Sequence, residues 1–391
     1  MKQTMKVLCL GGAGKICSEA VRDLVEFTSA NLITKITIAD VNTTLGLALV
    51  AELNDARVDF RSLDLHNEDE TISVMRGYDI VMDGTTIRLN DLSTRCIANA
   101  GCHGINLNGF GEEYKYSDLF MQHDRIHIPG FGMTPGTTNL MAKDACENME
   151  KVFSVRVSHG AYRPFAFSPS IAETTSYEYD PNLPGRVVWE GGQMIQVPPF
   201  ARPLEIELPD PYGNLPQYII PHAETVTLSD YLKDKNPDLI EVRGTWPKQN
   251  MELVRTLYNW GFLRNDRIRI QGVDVGIMDC VAAYLCQSKE GTSTELYGYA
   301  LHVVAEGLEQ GKRVRRTLLH THPASDGSVP SWAGLRAYTR CVGIPMAVAV
   351  KLIAEGRFQG HGVVIPERAF TPSDLFSELE KREIYIHRKV E

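Results

Sequence analysis

Lys6-Val7-Leu8-Cys9-Leu10-Gly11-Gly12-Ala13-Gly14-Lys15-Ile16-Cys17 is the stretch whose reading decides the fold. An apolar run of strand type meets a glycine cluster, and a helical pattern from Ser18 to Phe27 follows at once. That order builds an anion site. Glycines admit close backbone approach, and the helix beyond them aims N–H groups at a diphosphate. Gly12-x-Gly14-x-x-Cys17 fits the Gly-x-Gly-x-x-Gly fingerprint except at its last place. There the small Cys17 stands where a glycine serves close helix–strand packing.

Working outward, Lys35-Ile36-Thr37-Ile38-Ala39-Asp40 reads as the next strand and ends in a carboxylate. Asp40 lies 28 residues after Gly12, somewhat beyond the usual ~20. A carboxylate there accepts hydrogen bonds from the adenosine ribose and repels a 2′-phosphate, so the reading is NAD, with NADP second. The expected cofactor-binding residues are Gly12, Ala13, Gly14, Lys15, Ile16 and Asp40. Gly84-Thr85-Thr86, after a fourth strand, would face the nicotinamide ribose with backbone, and Asp83 would bond that ribose or face solvent.

Strand and helix signals alternate to about residue 130. Leu45–Leu53, Glu68–Met75 and Leu92–Ala100 read as helices; Val58–Asp64, Tyr78–Asp83, Gly104–Leu107 and Arg125–Pro129 read as strands. Such β-α-β repetition implies a doubly wound parallel sheet of Rossmann type. Thr134 and Pro135 read as the cap and first residue of a helix over Thr137–Asn148. Beyond 150 the chain is strand-rich, at Val152–Ser158, Arg186–Trp189, Leu204–Leu208, Ile240–Thr245 and Thr294–Glu306, with helical patterns at Met251–Leu257 and Val273–Gln287. This predicts an inserted α+β domain with a largely antiparallel sheet. The expected division is a dinucleotide-binding domain over 1–135, a catalytic and oligomerisation domain over 136–335, and a C-terminal segment over 336–391 that returns to the first.

The 391 residues are 43% hydrophobic and 23% charged, the balance of an ordinary globular protein. A net charge of −9 argues against nucleic acid and anionic membrane as partners. No apolar run approaches the ~20 residues of a membrane span. Eight scattered cysteines without a Cys-x-x-Cys pair point to a reduced, cytoplasmic compartment and to no metal site.

Three blocks together resemble the saccharopine dehydrogenase family, and within it most the bacterial lysine 6-dehydrogenase branch. They are the glycine turn with Asp40, the segment Ile126 to Asn139 with its Gly132-Met133-Thr134-Pro135-Gly136 core, and Arg340 through Pro366. The resemblance implies NAD(P)-dependent oxidation or formation of C–N bonds on amino-acid-like substrates: saccharopine, lysine at its ε-carbon or carboxylated polyamines. It also implies a homodimer or homotetramer. Three positions that are often acidic in the family, Asn106, Gly130 and Thr134, are uncharged here.

Such chemistry needs a carboxylate holder and a proton acceptor of suitable pKa. Arg163 suits the first task by its planar fork. His159 and Tyr162 lie near it in sequence, and His222 and Glu224 form a second candidate pair. Each also has a plain structural reading: a loop ion pair for Arg163, a satisfied strand histidine for His159, a turn cap for His222 and Glu224. Glu112 or Glu113 could replace a missing acid, but adjacent helical residues do not share a face. The alternative to an enzyme is an NAD(H)-binding sensor or assembly protein without turnover, for which the three uncharged positions speak.

Overall fold

Val7, Leu8, Cys9 and Leu10 are all buried, as a strand covered on both faces requires. In the structure, a computed structural model that describes residues 4–109, 111–182, 185–264, 266–287 and 296–391, they belong to β1 (Met5–Leu10). The described chain divides into two compact units, Met1–Lys143 with Thr339–Ile384, and Asp144–Tyr338 with Tyr385–Glu391.

The first unit continues with α1 (Cys17–Phe27), β2 (Ile33–Asp40), α2 (Thr43–Leu53), β3 (Val58–Ser62), α3 (Glu68–Met75), β4 (Ile80–Asp83), α4 (Asn90–Ala100), β5 (His103–Asn106), α5 (Ser117–Gln122), β6 (Ile126–Ile128) and most of α6 (Thr137–Cys146). A last strand, Gly362–Val363, arrives from the C-terminal part and completes a seven-stranded parallel sheet. Its order is that strand, then β6, β5, β4, β1, β2 and β3. The order reverses between β1 and β4, and ligands of such sheets sit outside the carboxyl ends of the strands at that switch point. Leu8, Leu10, Val81, Met75, Ile97 and Phe120 are among the residues that fill the core on one face.

The second unit holds β7 (Lys151–Tyr162), α7 (Pro169–Tyr179), β8 (Val187–Glu190), β9 (Gln193–Gln196), β10 (Leu204–Leu208), β11 (Gly213–Ile219), α8 (Glu224–Tyr231), β12 (Leu239–Thr245), α9 (Lys248–Asn259), β13 (Arg267–Ile270), β14 (Val273–Gly276), α10 (Ile277–Gln287), β15 (Gly298–Glu309) and β16 (Lys312–Thr321). Its main sheet runs β10-β11-β12-β7-β15-β16 and ends on the strand Tyr385–Val390. Pairing is antiparallel except between β12 and β7. The C-terminal segment thus serves both units. After α11 (Arg336–Ala354), β17 (Gly362–Val363), α12 (Pro366–Ala369) and α13 (Pro372–Glu380) it contributes β18 (Tyr385–Val390) to the second sheet.

Three local expectations differ from the structure. The helix expected to be capped by Thr134 begins at Thr137, because Gly136 takes φ +111°, which no helical residue adopts. The helical pattern at Val273 opens with a strand, since Val273–Gly276 pairs with Arg267–Ile270 and only then does α10 begin. The strand expected from Thr294 begins at Gly298, and Thr294 itself lies outside the described residues. α11 is apolar enough by composition to cross a membrane, but 89% of its most apolar window is buried within the chain.

Arg382, just past α13, ties that helix to α1. Fully buried, it donates through Nε to both Asp23 oxygens and through Nη1 to the Glu378 carbonyl and Oε2, with its guanidinium 4.1 Å from the Phe27 ring centroid. Removing one partner of a buried pair strands the other. We expect Arg382→Met to lower the unfolding free energy by about 3–5 kcal/mol, read from urea denaturation. A loss below about 1 kcal/mol would show that the two carboxylates find other partners.

Candidate functional site

The glycine turn lies at the carboxyl end of β1. Gly11 adopts φ +61°, open to glycine at little cost. A Cβ at Gly12 would come 2.7 Å from the Cys9 carbonyl oxygen, so only glycine fits there. The backbone N–H groups of Lys15, Ile16 and Cys17 have no hydrogen-bond partner among the described residues. They form the N-terminus of an 11-residue helix with its positive dipole end outward, at a turn exposed at Gly14 and Lys15. This is the donor set that a diphosphate requires, so the residues present fit a dinucleotide.

Cys17 keeps the helix close without the third fingerprint glycine. Its Sγ lies 3.7 Å from the Leu10 carbonyl oxygen, and the room for it comes from Gly84. A Cβ on Gly84 would lie 2.7 Å from the Cys17 Cβ and 2.9 Å from its Sγ. The missing glycine has in effect moved across to the end of β4. Gly343 of α11 plays a related part, since a Cβ there would meet the Ile16 carbonyl oxygen at 2.7 Å.

Asp40 sits beside the turn, with Oδ2 accepting from the Ala13 N–H at 3.1 Å and Oδ1 from the Asn42 N–H at 2.8 Å. It is half-buried at the end of β2, the position of a ribose-binding carboxylate. Asp83 is engaged within the chain. It is buried, its Oδ1 accepts from the Thr85 N–H and hydroxyl, and its Oδ2 accepts from Ser93. It shapes the Gly84-Thr85-Thr86 turn and does not point at solvent. Burial raises its pKa above the ordinary carboxylate value.

Of the uncharged positions, Asn106 is buried in a polar network. Its Nδ2 donates to Asn90 Oδ1 and its Oδ1 accepts from the Asn108 and Gly130 N–H groups. Glu113 closes the network, accepting from Asn90 Nδ2 and the Gly111 N–H, and so serves the loop after β5. Gly130 stands at φ +65°, and a Cβ there would lie 2.5 Å from the Asn108 carbonyl oxygen. This backbone has no room for an acid at 130.

In the second unit, strand alternation separates the candidates. His159 and Tyr162 fall on opposite sides of β7, which ends at Tyr162, and Arg163 is the first residue beyond the strand. Tyr162 packs with Ile206, Leu208 and Tyr212 and donates its hydroxyl to the Tyr212 carbonyl, and burial pushes its pKa up to about 12. It is a core residue and leaves the candidate site.

His159 is buried and stacks between His222 and Tyr299, with ring centroids 5.5 Å away on each side. Neither of its ring nitrogens has a hydrogen-bond partner among the described residues. Burial, helped by the charge on His222, pushes its pKa down to about 3. His222 behaves oppositely. Burial disfavours its charge, but the Glu178 and Glu224 carboxylates, 4.0 and 3.5 Å away, outweigh burial and raise its pKa to about 10. Glu224, fully buried, opens α8.

Arg163 is 3% exposed and has no carboxylate partner. Its Nη1 donates to the Pro164 and Phe165 carbonyls and its Nη2 to Thr175 Oγ1, while Nε has no partner among the described residues. The rings of Phe167, Trp246 and Tyr338 surround the guanidinium at 5.9, 5.8 and 5.5 Å. Glu178 was not foreseen from sequence. Ser168-Pro169, a cap followed by a first-turn proline, signals α7 and could have placed Glu178 on it.

Residues 7–125 match the family model described as the saccharopine dehydrogenase NADP binding domain, and residues 132–384 match that of the saccharopine dehydrogenase C-terminal domain. The first unit is therefore an NAD(P)-binding sheet of oxidoreductase type. The chain belongs to the saccharopine dehydrogenase family. Among solved structures it is similar to saccharopine dehydrogenase (L-Glu forming) of Saccharomyces cerevisiae, with a TM-score of 0.73 and 14% identity over 99% of this chain and 100% of that one. The homospermidine synthase of Legionella pneumophila in complex with NAD gives a TM-score of 0.65 and 12% identity over 99% of this chain and 92% of that one. At these identities the likeness is one of fold. No curated protein matches the chain in sequence.

Two expectations follow from this geometry. Gly84→Ala should cost about 1–3 kcal/mol by overpacking against Cys17. In a Cys17→Gly background the same change should cost little, a coupling of about 1 kcal/mol or more in a double-mutant cycle read by urea unfolding. Additive effects would mean that the two residues do not share the space.

The second concerns charge. Because the pKa of His222 rises on folding from 6.5 to about 10, its charged form adds stability that is complete below pH 6.5 and is lost as the pH climbs to about 10. The stability gap between the native chain and His222→Gln should therefore be widest near pH 6.5 and narrow toward pH 10. A gap that stays constant over that range would contradict a charged His222.

Proposed function

We propose that the chain is an NAD-dependent dehydrogenase that acts on the CH–NH or CH–NH2 carbon of an amino-acid-like substrate. The observation that carries this reading is the unpartnered N–H edge of α1 beside Asp40, in a chain of this family. When bound there, NAD would supply the two-electron acceptor. The N–H groups of Lys15, Ile16 and Cys17 would hold its diphosphate, and Asp40 its adenosine ribose.

The second unit supplies groups suited to the other half of the reaction. Arg163 offers the edge formed by its Nε–H to a substrate carboxylate, in a place where aromatic rings keep water away from the guanidinium. An amine must lose a proton before its carbon gives up a hydride. Both ring nitrogens of His159 are unpartnered among the described residues, which makes it the candidate acceptor. Burial and the His222 charge, which hold its pKa down to about 3, must be relieved on substrate binding for it to take that proton. His222 stays protonated and cannot. Lysine and related diamino acids, saccharopine, opines and carboxylated polyamines are the substrates to test first.

NADH formation from NAD and that panel, and its consumption with the matching carbonyl and amine pairs, is the direct test. NAD binding by calorimetry with no turnover in either direction would favour a sensor or assembly role. For the cofactor, Asp40→Ala should weaken NAD binding by roughly 1.5–3 kcal/mol, the range for a hydrogen bond to a charged group, and narrow the gap to NADP. Unchanged affinity for both cofactors would remove Asp40 from the site.

A further inference from the structure

Two buried groups of the second unit keep an unpartnered polar atom of opposite charge. One is Nε of Arg163. The other is Oε2 of Glu178, a residue 8% exposed near the end of α7. Arg163 has no carboxylate partner, and the ion pair that Glu178 makes with His222 is through Oε1 and leaves Oε2 without a hydrogen bond. Both meet the same elements: Arg163 donates to Thr175 of α7, and Glu178, also on α7, lies 4.0 Å from His222, which stacks on His159.

Helix geometry gives the spacing. Arg163 donates to Thr175, which lies one turn before Glu178 on α7. Residues three apart on a helix have Cβ atoms about 5–6 Å from one another. A head group carrying both charges on one carbon can answer both residues, whereas a lone anion or a lone cation answers only one.

The two residues differ in what surrounds them. Glu178 shares His222 with Glu224, and its backbone carbonyl accepts from the buried Arg186. Arg163 has only carbonyls, a hydroxyl and ring faces about its guanidinium.

We propose that Glu178 sets the charge this unit accepts: its Oε2 takes the ammonium of an amino-acid head group whose carboxylate lies on the Nε edge of Arg163. The proposal rests on the reading of the second unit as the substrate-binding part. It goes beyond that reading in naming a residue that discriminates between substrates. A carboxylate ligand lacking the ammonium would leave Glu178 unanswered, and an amine lacking the carboxylate would do the same to Arg163.

Three probes of equal hydrocarbon length test this on the full chain without NAD: L-norleucine, hexanoate and hexylamine, followed by calorimetry. Norleucine should bind the native chain more tightly than either of the others. Glu178→Gln should weaken norleucine by roughly ten- to a hundredfold, the scale of one charge-assisted hydrogen bond, and leave hexanoate as it was. Arg163→Lys should weaken norleucine and hexanoate together. Retained hexanoate binding in Glu178→Gln also shows that the Arg163 side of the site is intact.

The proposal is overturned if norleucine binds the native chain no better than hexanoate, if no probe binds, or if Glu178→Gln weakens norleucine and hexanoate alike. NAD affinity measured on the same samples keeps the two ideas apart. A native chain that binds NAD but not norleucine sinks the head-group assignment alone, while one that fails to bind NAD sinks the dehydrogenase reading.

Discussion

The first unit depends on how closely α1 approaches the ends of β1 and β4. A helix N-terminus binds a diphosphate only when its N–H groups come to the ligand without side chains between them. Three contacts set that approach. Gly12 rests on the Cys9 carbonyl, Cys17 fills the hollow over Gly84, and Gly343 of α11 touches the Ile16 carbonyl. A single added Cβ would collide at each place, with backbone at Gly12 and Gly343 and with the Cys17 side chain at Gly84. Packing this tight yields little, which makes the N–H geometry a property of the scaffold and not of the loop.

The parts of this arrangement that were legible in the sequence are those written in local pattern. β1, the glycine turn, α1 and β2 are contiguous, and hydrophobic runs broken by glycines announce them. Asp40 ends a strand and could be placed by counting. The partnership of Cys17 with Gly84 was not legible, because 67 residues separate them and nothing local marks the exchange. The same holds for Asp83: its position after a strand was readable, but its occupation by Thr85 and Ser93 depends on how α4 returns to β4.

In the second unit the difference between near in sequence and near in space decides more. Tyr162 is three residues from His159, yet a period of two sends it to the opposite face of β7 and into a core with Tyr212. Glu178 lies far along the chain from both His159 and His222 and still meets the latter, because α7 lays its last turn beside the segment that leads into α8. Patterns of residue type singled out His159, Arg163, His222 and Glu224 as candidates; the contact of Glu178 with His222 arises only from the fold and carries no such pattern.

The electrostatics of that unit assign protons before any ligand arrives. His222 between two carboxylates holds its proton past neutral pH, and His159 stacked on it holds none. Protonating His159 would place a second imidazolium in a low-dielectric site, 5.5 Å from the first between ring centroids. The pair is thus a fixed cation beside a fixed neutral base, and the asymmetry comes from Glu178 and Glu224, not from any difference between the two rings. A substrate ammonium near Glu178 would compete with His222 for the same carboxylate. Its arrival would loosen the hold on the His222 proton just as it brings its own proton toward His159. Under the proposed head-group assignment, substrate binding and proton affinity would be linked through this one side chain.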